Sequence, residues 1–460
     1  MHMVAIGGSD AGISAALRAR EVDPGVEVTV IAADAYPNFS ICGIPYYVSG
    51  EVTHWRNLAH RTRADLEAAG MRLRLDTTAS RIDAAGRKLL VASSGGEEVI
   101  GYDQLVIGTG AVPVRPPLTG LDTLGPGDGV HLLHSMGDTF ALMRTLEDTG
   151  PASAVIVGAG YIGLEMADAL ITRGLRVTQM EQLPEVLPTV DPDLGALVHA
   201  ELEGRGVEVL TGTAVQAIST SAPGEPGRLH VQAVTAAGEP VNRSADLILV
   251  VVGVRPDTEL AVSAGASLGA RGAIAVDTRM RTGLPSIYAA GDCVITRHRL
   301  LGDTYLPLGT TSHKQGRVAG ENACGGSREF AGSLGTQVVK IFDQAAARTG
   351  LRDHEAAAAG YDPVTVAWEA DDHKAYYPGS HKIAMRFTGD RTTGRLLGVQ
   401  LYGHKDAEIA KRVDIAATAI FHSMTVDDIS DLDLSYTPPL GSPWDAVQAG
   451  AQAWTATSAR

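Results

Sequence analysis

The 460-residue chain carries 53 acidic against 38 basic residues, a formal charge of −15, so it lacks the excess of clustered Lys and Arg that nucleic-acid phosphates demand. Its 45% hydrophobic and 20% charged residues are those of a folded globular protein long enough for about three domains. No stretch approaches the roughly 20 apolar residues of a membrane span.

The chain enters a strand at once, with no basic stretch and apolar run before it, so no signal peptide and a cytoplasmic location are expected. Cys42, Cys293 and Cys324 make neither a C-x-x-C pair nor an even disulfide framework. That fits a reducing compartment and leaves each free to be chemical. No metal is expected.

The first segment reads strand Met3 to Ile6, turn Gly7 to Gly12, helix Ile13 to Arg20 and strand Glu27 to Ile31: one βαβ unit. Ser9 stands where the middle glycine of a dinucleotide turn is usual, and the acid at the end of the second strand is replaced by Asp34, a substitute candidate for an adenosine ribose. Support comes from Gly108-Thr109-Gly110 after the strand beginning near Tyr102, and from Gly291-Asp292 after the strand at Ile287. An Asp at a strand end can bond a ribityl hydroxyl.

The segment Asn38-Phe39-Ser40-Ile41-Cys42-Gly43-Ile44-Pro45-Tyr46-Tyr47 suits a turn opening into a helix. Cys42 is then expected at a helix N-terminus, where the dipole lowers a thiol pKa. Cys293 and Cys324 read as core residues.

A Pro- and Gly-rich connection from Pro113 to Gly129 leads to a second βαβ unit: strand Ala154 to Val157, turn Gly158-x-Gly160-x-x-Gly163, helix Leu164 to Thr172 and strand Arg176 to Met180. Its glycines let a pyrophosphate approach the helix N-terminus. Glu181, at the end of the second strand, can accept both ribose hydroxyls and would repel a 2′-phosphate, so NADH is expected over NADPH. A long apolar strand, Leu247 to Gly253, follows. From about Gly326 the pattern changes to strands such as Gln337 to Phe342 and Leu396 to Tyr402, with a helix at Lys411 to His422, a separate α+β module.

Taken together, Cys42-Gly43-Ile44-Pro45-Tyr46, Val252 to Pro256, Tyr288 to Asp292, Tyr376 to Gly379, Lys411 to Asp414 and Tyr436 to Pro439 resemble the pyridine nucleotide-disulfide oxidoreductase superfamily over nearly the whole chain. The resemblance is narrower to its single-cysteine branch of coenzyme A disulfide reductases, NADH oxidases and peroxidases, and persulfide reductases. It implies an α/β fold with two Rossmann-like, glutathione reductase-like dinucleotide domains plus a C-terminal α+β dimerisation domain. The implied division is 1–113 and 246–325 for FAD, 114–245 for NAD, and 326–460 for dimerisation.

Tyr47 stands where two-cysteine members carry the second cysteine, and Gly441 to Ala446 holds no His-Glu base. The resemblance therefore implies a homodimer in which NADH reduces FAD and the flavin reduces Cys42, which cycles as thiolate and mixed disulfide or sulfenic acid. FAD contacts fall to Gly7, Gly12, Asp34, Thr109, Gly110 and Asp292; NAD contacts to Gly158, Gly160, Gly163, Glu181 and Gly253. Tyr377 or Tyr376, and Tyr436, match tyrosines that reach the partner's cysteine.

Three positions depart from the best-known relatives. Asp10 replaces the His of peroxidases and oxidases, and reads as a proton carrier beside Cys42 or as an acid satisfied by helix N–H groups. Ile41 replaces the Asn that precedes the cysteine in coenzyme A disulfide reductases. Glu181-Gln182 replaces the basic residue of NADPH users. Asn38, Arg18, Arg20, Arg61 and Arg63 are the approximate candidates for holding a thiol substrate such as coenzyme A. The leading expectation is reduction of a disulfide or persulfide of a low-molecular-weight thiol, coenzyme A first. The alternatives are an NADH oxidase with Cys42 as sulfenic acid, an electron-transfer reductase for a protein partner, and a NAD-sensing binding protein.

Overall fold

Strand His2–Ile6, helix Asp10–Val22 and strand Glu27–Ile31 make the first βαβ unit in the computed structural model, which describes residues 1–222 and 227–458. Both strands are almost wholly buried beyond their first residue, as central parallel strands covered by helices must be. Five parallel strands lie in the order Ile287–Ala289, Gln104–Ile107, His2–Ile6, Glu27–Ile31, Met71–Arg74. Helix Asp10–Val22 packs along helix Gly309–Ala323, which comes from far later in the chain.

The second unit is a separate five-stranded parallel sheet, in the order Glu208–Leu210, Arg176–Met180, Ser153–Val157, Leu247–Val250, Val130–Leu132. This corrects the expected return to the first domain at residue 246. Leu247–Val250 is buried throughout and needs a neighbour on each edge, which Ser153–Val157 and Val130–Leu132 provide. The crossing lies instead at a two-stranded antiparallel ladder, Ala111–Pro113 with Val254–Pro256, so chain leaving and chain returning run side by side.

The C-terminal module is a five-stranded antiparallel sheet, Gln337–Ile341, Gln344–Gly350, Leu396–His404, Lys382–Asp390, Pro363–Asp371. Helices Ile409–Phe421 and Ala446–Ser458 cover it. Their apolar residues Val413, Ile420, Val447 and Trp454 share one core with Met385, Phe387 and Leu401 of the sheet. The module is pinned to the second nucleotide unit: Asp168 lies 2.8 Å from Lys340 Nζ and accepts from the Phe342 N–H at 3.0 Å. No helix among the described residues is long and apolar enough to cross a membrane.

Candidate active site

The two glycine turns share one geometry. Gly7 and Gly158 have φ of 110° and 106°, a region that L side chains rarely adopt. A Cβ on Gly12 would lie 2.1 Å from the Gly7 carbonyl oxygen, and one on Gly163 2.2 Å from that of Gly158. The middle position differs: Ser9 (φ −102°) and Gly160 (φ −78°) both have ordinary extended backbones. Ser9 therefore fits without strain, and the departure seen in the sequence does not break the turn. Neither following helix, Asp10–Val22 nor Tyr161–Thr172, has a side-chain N-cap bond, so first-turn N–H groups remain for an anion.

Beside the first turn is a cavity of about 420 Å³ lined by Ile6, Gly7, Ile31, Ala33, Thr109 and Asp257, the size range of cofactor pockets. Thr109 Oγ1 donates to the Asp257 carbonyl at 2.6 Å, and Gly110 (φ 74°) accepts from the Asp257 N–H. Asp34, next in sequence to the lining residue Ala33, is exposed and accepts from the Tyr36 N–H at 2.9 Å. Asp292 accepts from Ser312 Oγ at 2.8 Å, and burial pushes its carboxyl up. These residues fit FAD: free helix N–H groups for the pyrophosphate, a cavity at the adenosine end, and a carboxyl at a strand end.

At the second turn Glu181 is buried, with its oxygens accepting from the Ala159 N–H at 2.8 Å and the Leu183 N–H at 2.9 Å. The acid is thereby held against the glycine turn. Gly253 (φ 107°) lies just past Val251, whose carbonyl abuts Gly158.

Cys42 sits in the 3₁₀ turn Ile41–Gly43, directly before helix Ile44–Ser49 with Pro45 in its first turn. Ile44 and Val48 are buried with Leu142, Leu164 and Ala167, so the cysteine segment is clamped onto helices of the second unit. The expected lowering of the thiol is not found. One side of Cys42 is open to solvent, but protein around its other sides and the carboxylates of Glu165, Asp10 and Asp292 push the thiol above the ordinary cysteine range. A six-residue helix has a weak dipole, and burial together with three negative neighbours outweighs it. Of the other cysteines, Cys293 is buried and Cys324 half-buried, as core residues.

Glu165 is a site residue that the motif reading passed over. It follows Gly163 on the same helix and accepts from Tyr46 Oη at 3.1 Å. Burial pushes it up to about 7, opposed by the Tyr46 bond and by Lys340. Its only sequence signal is that it and Asp168 are the two acids on an otherwise mostly apolar helix. Removing its charge favours the thiolate, so Glu165→Gln should lower the midpoint of Cys42 alkylation by iodoacetamide by several tenths of a pH unit to about one unit. An unchanged midpoint would remove Glu165 from the electrostatics of Cys42.

Asp10 is the first residue of its helix, yet no helix N–H bonds its carboxylate among the described residues. It faces His313, with Oδ1 3.4 Å from Nε2, so the reading of an acid satisfied by N–H groups fails. Asn38 is 1% exposed, in left-handed backbone (φ 58°), with neither side-chain polar atom bonded. A buried amide in that state wants a partner from outside the chain. The arginines divide. Arg20 donates to the carbonyls of Ala69, Pro24 and Val26, and Arg18 pairs with Glu321 and Glu21; both are engaged by the fold itself. Arg63 pairs with Glu67 on the surface. Arg61 is exposed and in no salt bridge among the described residues.

Tyr377 and Tyr436 are 43% and 45% exposed, and Tyr376 74%. The Lys374 N–H donates to the Pro438 carbonyl at 3.3 Å, bringing the two tyrosine loops together. Phe421, Leu440 and Trp444 are also exposed.

Residues 1–316 match the family model described as pyridine nucleotide-disulphide oxidoreductase, and residues 336–446 that of its dimerisation domain. The chain is similar to an NAD(P)H sulfur oxidoreductase (CoA-dependent) of Pyrococcus furiosus, 34% identical over 448 residues, 97% of each chain. It is also similar to an NADH oxidase of Methanocaldococcus jannaschii, 32% identical over 456 residues, 98% of each. Among solved structures, a NAD-dependent persulfide reductase from A. fulgidus has a TM-score of 0.92 and 37% identity, covering 100% of this chain and 83% of that one. With both glycine turns, the single-cysteine segment and the dimerisation module in place, the chain belongs to the pyridine nucleotide-disulphide oxidoreductase family and is an FAD-dependent enzyme that takes electrons from NAD(P)H.

Proposed function

We propose that this enzyme uses NADH to reduce a disulfide or persulfide of a low-molecular-weight thiol, coenzyme A first, through Cys42 in a homodimer. The observation that carries the reading is that Cys42 is the exposed one of three cysteines, in the turn directly before a helix bonded through Tyr46 to the helix of the nicotinamide-nucleotide turn. The P. furiosus relative is named CoA-dependent, which supports coenzyme A.

Gly7, Gly12, Asp34, Thr109, Gly110 and Asp292 would hold FAD, which when bound would supply two-electron transfer between nicotinamide and sulfur. The chain's own chemistry is at Cys42. Its thiolate attacks one sulfur of the substrate; a new S–S bond forms, the old one breaks, and the departing thiolate takes a proton. Two electrons from NADH then break the mixed disulfide and return Cys42 to thiolate. The sum is NADH + RSSR + H⁺ → NAD⁺ + 2 RSH. The unbonded Asn38 amide and Arg61 are the groups left to bind the substrate. Tyr377 and Tyr436 of a second copy serve as orienting donors.

Glu181 is the basis for NADH over NADPH: a carboxylate fixed at the turn accepts from ribose hydroxyls and repels a phosphate. Losing such charge-assisted bonds costs roughly 1.5–3 kcal/mol, so Glu181→Ala should raise KM for NADH about 10–100-fold, with kcat within about twofold. A KM unchanged in steady-state assays would take the ribose away from Glu181. The overall reading is tested anaerobically: coenzyme A disulfide should support NADH oxidation with two thiols released per NADH. Turnover that waits for dioxygen, with no thiol produced, would establish the oxidase alternative instead.

A further inference from the structure

Two histidines absent from the catalytic scheme converge on Asp10. We propose that Asp10, His60 and His313 form a binding site for a divalent cation of the zinc class, close to Cys42 and anchored on the first glycine turn through Asp10.

One ligand atom from each of the three residues lies within 4.8 Å of the others. A tetrahedral zinc with bonds of about 2.0–2.1 Å holds its ligands roughly 3.3 Å apart, and Asp10 Oδ1 is already 3.4 Å from His313 Nε2. Small side-chain rotations close the rest. His60 and His313 present their rings at 76° with centroids 6.0 Å apart, so the rings converge without stacking.

The donors come from three separate elements, and each is held. Asp10 opens helix Asp10–Val22, and Ser14, one turn on, places its Oγ 2.8 Å from His313 Nδ1. With Nδ1 engaged, Nε2 is the nitrogen left facing Asp10, the pattern in which an outer partner fixes the tautomer of a metal-binding imidazole. His60 is tied by its backbone: its N–H donates to the Asn38 carbonyl at 2.9 Å, and the Asn38 N–H to the Gly8 carbonyl at 2.7 Å. The third donor is thus locked to the turn that carries Asp10.

Two imidazoles and one carboxylate favour a first-row cation over magnesium or calcium, which prefer all-oxygen sites. The positive ends of helix Asp10–Val22 and of helix Gly309–Ala323, which carries His313, oppose a cation here, and the Asp10 carboxylate is the counter-charge. Because Asp10 acts electrostatically on Cys42, a bound dication would act on that sulfur in the opposite sense. The site is independent of which thiol or acceptor the enzyme uses.

The test is calorimetric titration of chelator-treated, FAD-loaded enzyme with zinc chloride alone, beside magnesium chloride. One zinc per chain should bind and magnesium should not. His60→Ala and His313→Ala should each weaken zinc by at least about 10–100-fold while keeping the flavin absorbance of folded enzyme. Cys42→Ser should bind within about twofold of wild type. His60 is exposed, so its variant tests the site even if the His313 variant fails to fold. Wild-type affinity in the His60 variant, or loss of binding in Cys42→Ser, would overturn the proposal; the latter would put zinc on the thiolate.

Discussion

Cys42→Ser should abolish NADH-dependent disulfide reduction, by roughly 10³-fold or more, because a serine hydroxyl forms no disulfide with substrate and the covalent step has no substitute. The loss should fall on one half-reaction. The segment is held by Ile44, Val48 and Tyr46, not by the sulfur, so the variant should fold, keep its flavin and still bleach on anaerobic addition of NADH. Rapid-mixing absorbance separates the two halves: fast flavin reduction without thiol release is the expected result. Full disulfide turnover in the variant would end the single-cysteine reading, and loss of flavin reduction would mean that Cys42 supports the fold more than the chemistry.

The second large effect concerns the C-terminal module. Arg412 is 5% exposed, bonds the Asp445 carboxylate at 2.9 and 3.1 Å and donates to the carbonyls of Asp372 and Ala407. It joins helix Ile409–Phe421 to the loop before Tyr376 and Tyr377 and to the segment after Tyr436. Arg412→Ala leaves a carboxylate and two carbonyls without their partner in a mostly buried site, which costs about 3–5 kcal/mol. Urea denaturation should show a correspondingly lower midpoint. Arg412→Lys should recover only part, since an ammonium cannot reproduce the guanidinium fork. A loss under about 1 kcal/mol would show that the ion pair is screened as a surface pair is. Because both tyrosine loops hang on this residue, disulfide turnover should fall in Arg412→Ala as well, provided those loops reach the partner's Cys42.

Much of the molecule was legible in the residues. Both βαβ units follow from apolar strands, glycine turns and helices whose order leaves little choice, and Glu27–Ile31 and Arg176–Met180 have the bounds that the pattern predicts. Leu247–Val250 was assigned to the wrong sheet because a fully apolar strand looks alike in either; only pairing with Ser153–Val157 and Val130–Leu132 decides. At the site, Cys42 was legible from its segment, but the direction of its thiol pKa was not. The helix that favours the thiolate is local in sequence, whereas the burial that opposes it most, and Glu165 and Asp292 with it, arise only when distant parts of the chain pack around the sulfur. Arg18 and Arg20 fit a phosphate-binding role by residue type alone, and their partners Glu321 and the Ala69, Pro24 and Val26 carbonyls appear only on folding. His60 and His313 carry no motif; they meet at Asp10 because two helices pack side by side and Asn38 ties in a loop.

The central claim is that Cys42 is the atom on which substrate and electrons meet. It is tested most directly by reducing the enzyme anaerobically with one equivalent of NADH, adding coenzyme A disulfide, quenching in acid and mapping peptides by mass spectrometry. The account predicts a coenzyme A adduct in disulfide linkage on the Cys42 peptide, removed by mild reduction and absent from Cys293 and Cys324. An unmodified Cys42, with the reduced enzyme reoxidised only once dioxygen is admitted, would contradict it.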